Sequence, residues 1–328
     1  MKTLASAAIA GILFCLSGFR DAAAWADPNS SLRLDSFQID SSYIYNNFEF
    51  NTFRLEPSFN FSLPNGHRII LKTGYNFFSQ NPRTLPSLRP DTITLTPIQL
   101  GWEGRVGEVS FSTALRINLY DKIPTTVGVL TSATWPVLPN LFLTAKYEQT
   151  ALESTPASLQ QGITARNYGP TLFWQIDPDM SLFSFYTITN YNDGNRAQVS
   201  YTKLERKFGQ FAVSANLVTW GAENIKDAYF APPDQLIYNL GVAWQGNLSE
   251  SLNLLLQYNI GRQRFNREES DAQYYVVRLT AKLSDQIEGF LEFNQGDLRN
   301  TPGGQFFLGN VRDLFSQSTF TAQLKAKF

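Results

Sequence analysis

The chain has 328 residues, with 27 Lys and Arg against 28 Asp and Glu, so its formal net charge is -1 and it lacks the basic excess by which nucleic acid is bound. A mean hydropathy of -0.21 with 14% aromatic residues argues against a bundle of membrane helices, yet suits a membrane wall in which every second residue faces water. One cysteine and one histidine leave neither a disulfide framework nor a clustered donor set, so no metal and no cofactor is expected.

Lys2, the apolar run from Leu4 to Leu16 and the stretch Ala22-Ala23-Ala24-Trp25-Ala26 read as a secretory leader. The run is shorter than the ~20 residues a spanning helix needs. Ala24 and Ala26 supply a small-x-small cleavage pattern, so residues 1–26 are expected to be a cleaved signal peptide and residues 27–328 a single β-barrel. Cys15 follows Phe14 rather than a small residue, which argues against a lipoprotein site, and is expected to leave with the leader.

Beyond the leader the recurring signal is alternation over about ten residues followed by a turn. Phe53, Leu55, Pro57, Phe59 and Phe61 alternate with Arg54, Glu56, Ser58 and Asn60 before Pro64-Asn65-Gly66, a hairpin turn sequence. Ile69, Leu71, Tyr75 and Phe77 alternate with Lys72, Gly74 and Asn76, and Phe111, Leu115, Ile117 and Leu119 with Ser112, Arg116 and Asn118. Later, Leu236, Tyr238, Leu240, Val242 and Trp244 oppose Asn239, Gly241 and Gln245. About sixteen such segments are expected, starting near residues 31, 47, 67, 92, 107, 125, 141, 160, 180, 195, 210, 235, 252, 272, 286 and 318.

A lysine or arginine facing lipid at mid-strand costs about 2 to 4 kcal/mol, so the charges between apolar residues must look into water. By strand parity the pore lining should hold Arg54, Glu56, Lys72, Arg116, Lys146, Glu148, Arg166, Arg278, Lys282, Glu292 and Lys325, with Phe142, Phe173, Tyr274 and Phe290 as inward rings. An even strand count puts both termini on the periplasmic side, with short turns after even strands and long loops after odd ones. The long stretches Gln80 to Asp91, Ser154 to Gln160, Ala222 to Asp234 and Asp297 to Gln317 fall at odd positions, the last being the expected gate. Trp102, Trp135, Trp174 and Trp244 lie near the ends of even strands and should form one interfacial girdle, with Trp220 at the outer rim.

The chain ends Ser-Thr-Phe-Thr-Ala-Gln-Leu-Lys-Ala-Lys-Phe, with Phe320, Leu324 and Phe328 on the apolar face. This ending resembles the closing strand of bacterial outer-membrane barrels, whose terminal Phe is part of the signal read by the barrel-assembly machinery. The resemblance implies an all-β, transmembrane, antiparallel up-and-down barrel in the outer membrane of a Gram-negative bacterium, surrounded by outer-membrane lipid.

Two further stretches, Tyr191-Asn192-Asp193-Gly194-Asn195-Arg196 and Asp227-Ala228-Tyr229-Phe230-Ala231-Pro232-Pro233, are similar to the Asp-Gly-Asn hairpin and the Tyr-Phe-x-Pro strand approach of the cellulose and poly-N-acetylglucosamine export porins. The similarity covers roughly residues 185 to 265. It implies passage of a polysaccharide through sixteen strands, while the tetratricopeptide repeats of that family have no counterpart between leader and barrel. Export would then call for a separate periplasmic repeat-protein partner.

His67, the sole histidine, follows the Pro64-Asn65-Gly66 turn and has no nucleophile in a triad-like pattern, so no enzyme activity and no catalytic residue is expected. The function expected is a porin-like channel for hydrophilic solutes or exported polysaccharide. The alternative is a non-conducting barrel that assists secretion or display of a surface protein.

Overall fold

A computed structural model describes residues 32–46, 50–63, 66–80, 91–226, 228, 229, 231–265, 267–296 and 317–328. The expected signal peptide lies outside these residues, as does the stretch 297–316 expected to gate the channel.

The strands are β1 (Arg33–Asn46), β2 (Phe50–Ser62), β3 (Arg68–Thr73), β4 (Tyr75–Gln80), β5 (Asp91–Val106), β6 (Val109–Tyr120), β7 (Thr126–Leu138), β8 (Leu141–Ala151) and β9 (Thr164–Asp177). They continue through β10 (Met180–Tyr191), β11 (Arg196–Phe208), β12 (Phe211–Ala222), β13 (Gln235–Ser249), β14 (Leu252–Phe265), β15 (Glu268–Lys282), β16 (Ile287–Gly296) and β17 (Gln317–Lys327). A short helix, α1 (Pro156–Gln160), follows β8.

β3 and β4 are halves of one stave, since both pair with β2 on one side and β5 on the other. They part at Gly74, where a Cβ would stand 2.3 Å from the Leu55 carbonyl oxygen. Sixteen staves result, each antiparallel to its neighbours, and β17 closes the wall on β1 from Ser36↔Lys327 to Asn46↔Gln317. The terminal Phe328 N–H extends that seam to the Asp35 carbonyl at 3.0 Å.

The two ends of the barrel differ as the loop asymmetry predicts. Two-residue turns join β5 to β6, β7 to β8, β9 to β10, β11 to β12 and β13 to β14, while at the opposite end β4 stops, β5 starts, and β8 and β12 run into longer connections. The turn end is therefore periplasmic and the loop end external.

Cross-strand partners share a face, so the register assigns each side chain. Outward rows include Leu55↔Tyr75, Leu100↔Leu115, Leu240↔Ile260 and Leu279↔Leu291, which makes an apolar belt. Trp102, Trp135, Trp174 and Trp244 face outward near the turn end, as expected. The outer girdle is made of tyrosines and not of Trp220: Tyr147, Tyr168, Tyr186 and Tyr238 face outward near the loop end, all well exposed. Trp220 is at that height but pairs with Gln235 and Val199 on the inner face, where it packs against a buried cluster.

Candidate channel lumen

One side of the lumen, built by β1 to β6, carries a charge network. Lys72 Nζ is 2.7 Å from Glu56 Oε2, and Arg116 Nη2 lies 3.4 Å from Glu56 Oε1 and 3.3 Å from Glu153 Oε1. Arg54 Nη2 approaches Glu153 Oε2 at 3.5 Å, and Lys72 also faces Asp40 at 3.7 Å. Amide groups complete the acceptors, with Asn76 donating to Glu56 at 2.9 Å and Asn118 to Glu153 at 3.3 Å. Side chains of Glu56 and Glu153 are below 10% exposed, so these carboxylates depend on the cations around them. Glu153 belongs to the loop after β8, so the network ties an external loop to the wall.

The opposite side, β8 to β14, carries rings and amides. Phe142 and Phe173 face each other at 6.5 Å, Phe173 pairs with Phe183 across the strands, and Phe183, Phe185 and Tyr201 lie 5.8 to 6.2 Å apart. The rings form a lane that begins beside the periplasmic turns and climbs the wall. At its upper end Tyr201 Oη donates to Asn216 Oδ1 at 3.0 Å and Asn216 Nδ2 donates to Asn239 Oδ1 at 2.9 Å, so the lane passes into a ladder of amides. Lys203 and Glu205, paired at 2.5 Å, edge the lane on its periplasmic side.

Toward the external mouth the lumen turns apolar. Phe78, Ile93 and Leu95 from β4 and β5, and Ala165, Ala197 and Ala222 from β9, β11 and β12, share one buried cluster with Leu152, Leu159, Ile163 and Tyr229 of the loops. The loops 152–163 and 223–234 therefore reach inward and bridge wall strands that are not neighbours. Thr155 caps α1 through a hydrogen bond from Ser158 N–H at 2.8 Å, while its hydroxyl donates to the Ala228 carbonyl at 2.6 Å, joining the two loops.

A third connection, 192–195, locks them. Gly194 takes φ +83, the left-handed conformation that glycine adopts without strain. Asn195 then reaches the second loop twice, donating to the Asn224 carbonyl at 2.9 Å and accepting from Asn224 N–H at 3.0 Å. Tyr229, 1% exposed, donates to Asp193 Oδ2 at 3.0 Å and stacks on Tyr191 at 4.5 Å. Lys226 Nζ adds an ion pair to Asp193 at 3.1 Å. Burial pushes the Tyr229 phenol above its usual range, so it remains a donor. Burial would also raise Asp193, but the hydrogen bonds from Asn195 N–H, Lys226 and Tyr229 outweigh it and hold the carboxyl below its ordinary value.

Of the expected lining residues, Arg54, Glu56, Lys72 and Arg116 meet in the charge network. Lys146 and Glu148 face inward from β8, paired with Ser132 and Leu130 of β7. Arg278 bonds Glu292 through Nε at 2.6 Å and lies over the Phe290 ring at 4.9 Å, and Lys282 and Lys325 flank Glu288 in the same inward row. Phe320, Leu324 and Phe328 belong to the outward parity of the closing strand.

Arg166 is a correction. It pairs with Gln149 and Asn190 in the outward row, while the inward position next to it is Ala165. Parity misleads there because the inward-reaching loops reverse the usual rule: at the external end the inner face is apolar and the outer face polar. The same reversal hid Phe78 and Ile93 as inward residues. Phe183, Phe185 and Tyr201 were missed for another reason, since rings that face lipid and rings that face a lumen look alike along one strand. Tyr274 and Phe290 face inward as expected but lie on β15 and β16, away from the lane.

His67 stacks on Trp102 at 5.2 Å on the outer side of the turn end. Among the described residues no three His, Cys, Asp or Glu side chains are grouped to hold a metal.

No protein-family model matches the chain, and no curated protein matches its sequence. Solved structures do match in fold. A bacterial polysaccharide outer membrane secretin superposes with a TM-score of 0.68 at 10% identity, over 90% of this chain and 98% of that one. OmpT, an outer membrane protein of Vibrio cholerae, gives a TM-score of 0.50 at 10% identity, over 90% and 98%. The chain thus adopts the closed sixteen-stave antiparallel barrel of bacterial outer-membrane proteins, the fold its two-residue rhythm predicts.

Proposed function

We propose that the protein is a bacterial outer-membrane channel for hydrophilic solutes, with sugar polymers the class its lumen suits best. The observation that carries this reading is the lane Phe142, Phe173, Phe183 and Phe185, which runs up the wall from the periplasmic mouth and is backed by the buried, hydrogen-bonded Tyr201, Asn216 and Asn239. Aromatic faces receive the apolar faces of sugar rings without demanding a charge. Successive rings let a chain advance from one contact to the next, which a single deep pocket would prevent. Two things outside the lumen support the same class: the resemblance of the Asp193 hairpin and the Tyr229 stretch to polysaccharide export porins, and the fold likeness to a polysaccharide secretin.

The test is conductance of the refolded protein in planar bilayers with neutral, cationic and anionic oligosaccharides added from the periplasmic side. Channel events interrupted by neutral oligosaccharide support the reading. A conducting pore indifferent to every sugar would remove the polymer and leave a general channel.

A second reading, a non-conducting barrel that assists secretion or display of a surface protein, is favoured by the apolar cluster that bridges the external mouth. Absence of any conductance, even after the loop contacts are cut, together with co-purification of a surface protein, would select it.

A further inference from the structure

We propose that Arg166 and Arg196 form a binding site for the phosphate monoester headgroup of a membrane lipid, on the outer face of the barrel at its external rim. Both arginines pair directly with Asn190, Arg166 from β9 and Arg196 from β11, so the three side chains stand in one outward row. Two strand spacings separate the arginine backbones by about 10 Å, a gap over which two long guanidinium side chains can converge on one tetrahedral anion.

What singles the pair out is the lack of a counter-charge. Arg262 and Arg264, also outward and near the external end, are neutralised by Asp271 at 3.2 Å and Asp234 at 3.3 Å. Among the described residues neither Arg166 nor Arg196 has a carboxylate partner, and it is their terminal guanidinium nitrogens that an anion at the surface would meet, since Arg196 Nε is buried, as Arg264 Nε is too. Glu223 follows β12 beside Arg196 and its N–H bonds the Arg196 carbonyl at 2.9 Å, yet its carboxylate makes no ion pair with the guanidinium. Two neighbouring guanidinium groups without a counter-charge repel one another, and a shared anion relieves that repulsion.

The surroundings indicate that the anion is carried by a lipid. Asn190 Nδ2 donates to Tyr168 Oη at 3.1 Å, and Tyr186 Oη donates to Gln198 at 2.8 Å, so the arginine row rests on the tyrosine girdle. That girdle marks the depth at which headgroups meet hydrocarbon. Ile188 stands level with it beside Tyr168, and below it Leu172 and Leu182 offer an apolar surface to acyl chains. A phosphate monoester presents oxygens enough for both guanidinium forks and Asn190, which a choline headgroup, with its phosphate shielded by a cation, does not.

The inference rests on the outer-membrane placement of the barrel but not on what the lumen passes, so a failure of one leaves the other standing. The experiment is native mass spectrometry of the refolded full chain in detergent with added phosphatidic acid, phosphatidylcholine of the same acyl chains, or inorganic phosphate. The wild type should retain phosphatidic acid in preference to phosphatidylcholine. The double variant Arg166→Gln, Arg196→Gln should weaken retention by about tenfold or more per arginine, while Arg262→Gln leaves it unchanged. If the double variant does not refold, Arg166→Lys with Arg196→Lys keeps the charge, loses the fork, and should bind with intermediate strength. Equal retention of phosphatidic acid by wild type and either double variant overturns the proposal. Complete displacement of the lipid by millimolar inorganic phosphate would also overturn it, since the site would then recognise the free ion.

Discussion

Tyr229 donates its phenolic hydrogen to Asp193 across 3.0 Å, joining the 223–234 loop to the turn between β10 and β11. Thirty-six positions separate the two residues in the chain. With Asn195 and Lys226 they form a latch that keeps the apolar loop cluster seated in the external mouth.

Cutting that latch should loosen the mouth without unfolding the wall. Tyr229→Phe removes the bond to Asp193 and the one received from Asn195, at a cost of about 1 to 2 kcal/mol, but retains the ring stacked on Tyr191. Amide exchange in residues 223–229 should speed up by about tenfold while exchange in β12 and β13 is unchanged. In bilayers, the variant should spend more time in its higher-conductance state.

The latch should also respond to acid, in a known direction. The folded-state value of Asp193 lies below the ordinary 3.8, so its contribution is fully present above that value and is lost as pH falls through the lowered one. Between about pH 7 and about pH 5 the mouth should therefore not change, whereas stronger acid should loosen it. Asp193→Asn should abolish the acid step; a step of the same size in that variant would assign it to another group.

The charge network predicts an asymmetry between removing an ion and removing a pair. Arg116→Ala leaves Glu56 and Glu153 short of a cation and should destabilise the barrel by about 3 kcal/mol, the low end for a buried pair because lumen water can reach it. Adding Glu153→Gln should recover part of that loss. Urea unfolding of the refolded protein, read by tryptophan fluorescence, measures both.

Neighbouring positions on β6 test the wall itself. Leu115 faces lipid and Arg116 faces the lumen, so Leu115→Arg should cost about 2 to 4 kcal/mol although a native arginine stands one residue away. A neutral effect at Leu115 would contradict the outward assignment of that whole row.

The ring lane gives a functional prediction. Phe173→Ala and Phe185→Ala each remove one contact worth about 0.5 to 1.5 kcal/mol, so the dwell time of a bound oligosaccharide should shorten by up to about tenfold per ring. Phe290→Ala, inward but away from the lane, should leave the dwell time unchanged.

Much of this was legible along the chain. Turn sequences such as Phe208-Gly209-Gln210 and the parity of Arg54, Arg116 and Arg278 carry the wall, because a strand's side-chain period of two forces greasy and wet residues onto opposite faces. The stave starting near residue 272 in the sequence reading begins at Glu268, a shift without consequence because parity is kept.

What the sequence alone determined was the alternating wall, its closure by the tail that ends in Phe328, and the end at which the long loops emerge, since each follows from local periodicity and turn chemistry. Only the tertiary structure decided which way the 152–163 and 223–234 loops fold, and with them the sign of the pattern at the external end. Ile93, Ala165 and Arg166 have the faces they have because two loops bring apolar side chains into the lumen, displacing the water that parity assumes is there. The meeting of Tyr229 with Asp193, and the placement of Arg166 and Arg196 on either side of Asn190, likewise depend on strand register across the wall, which no single segment of the chain encodes.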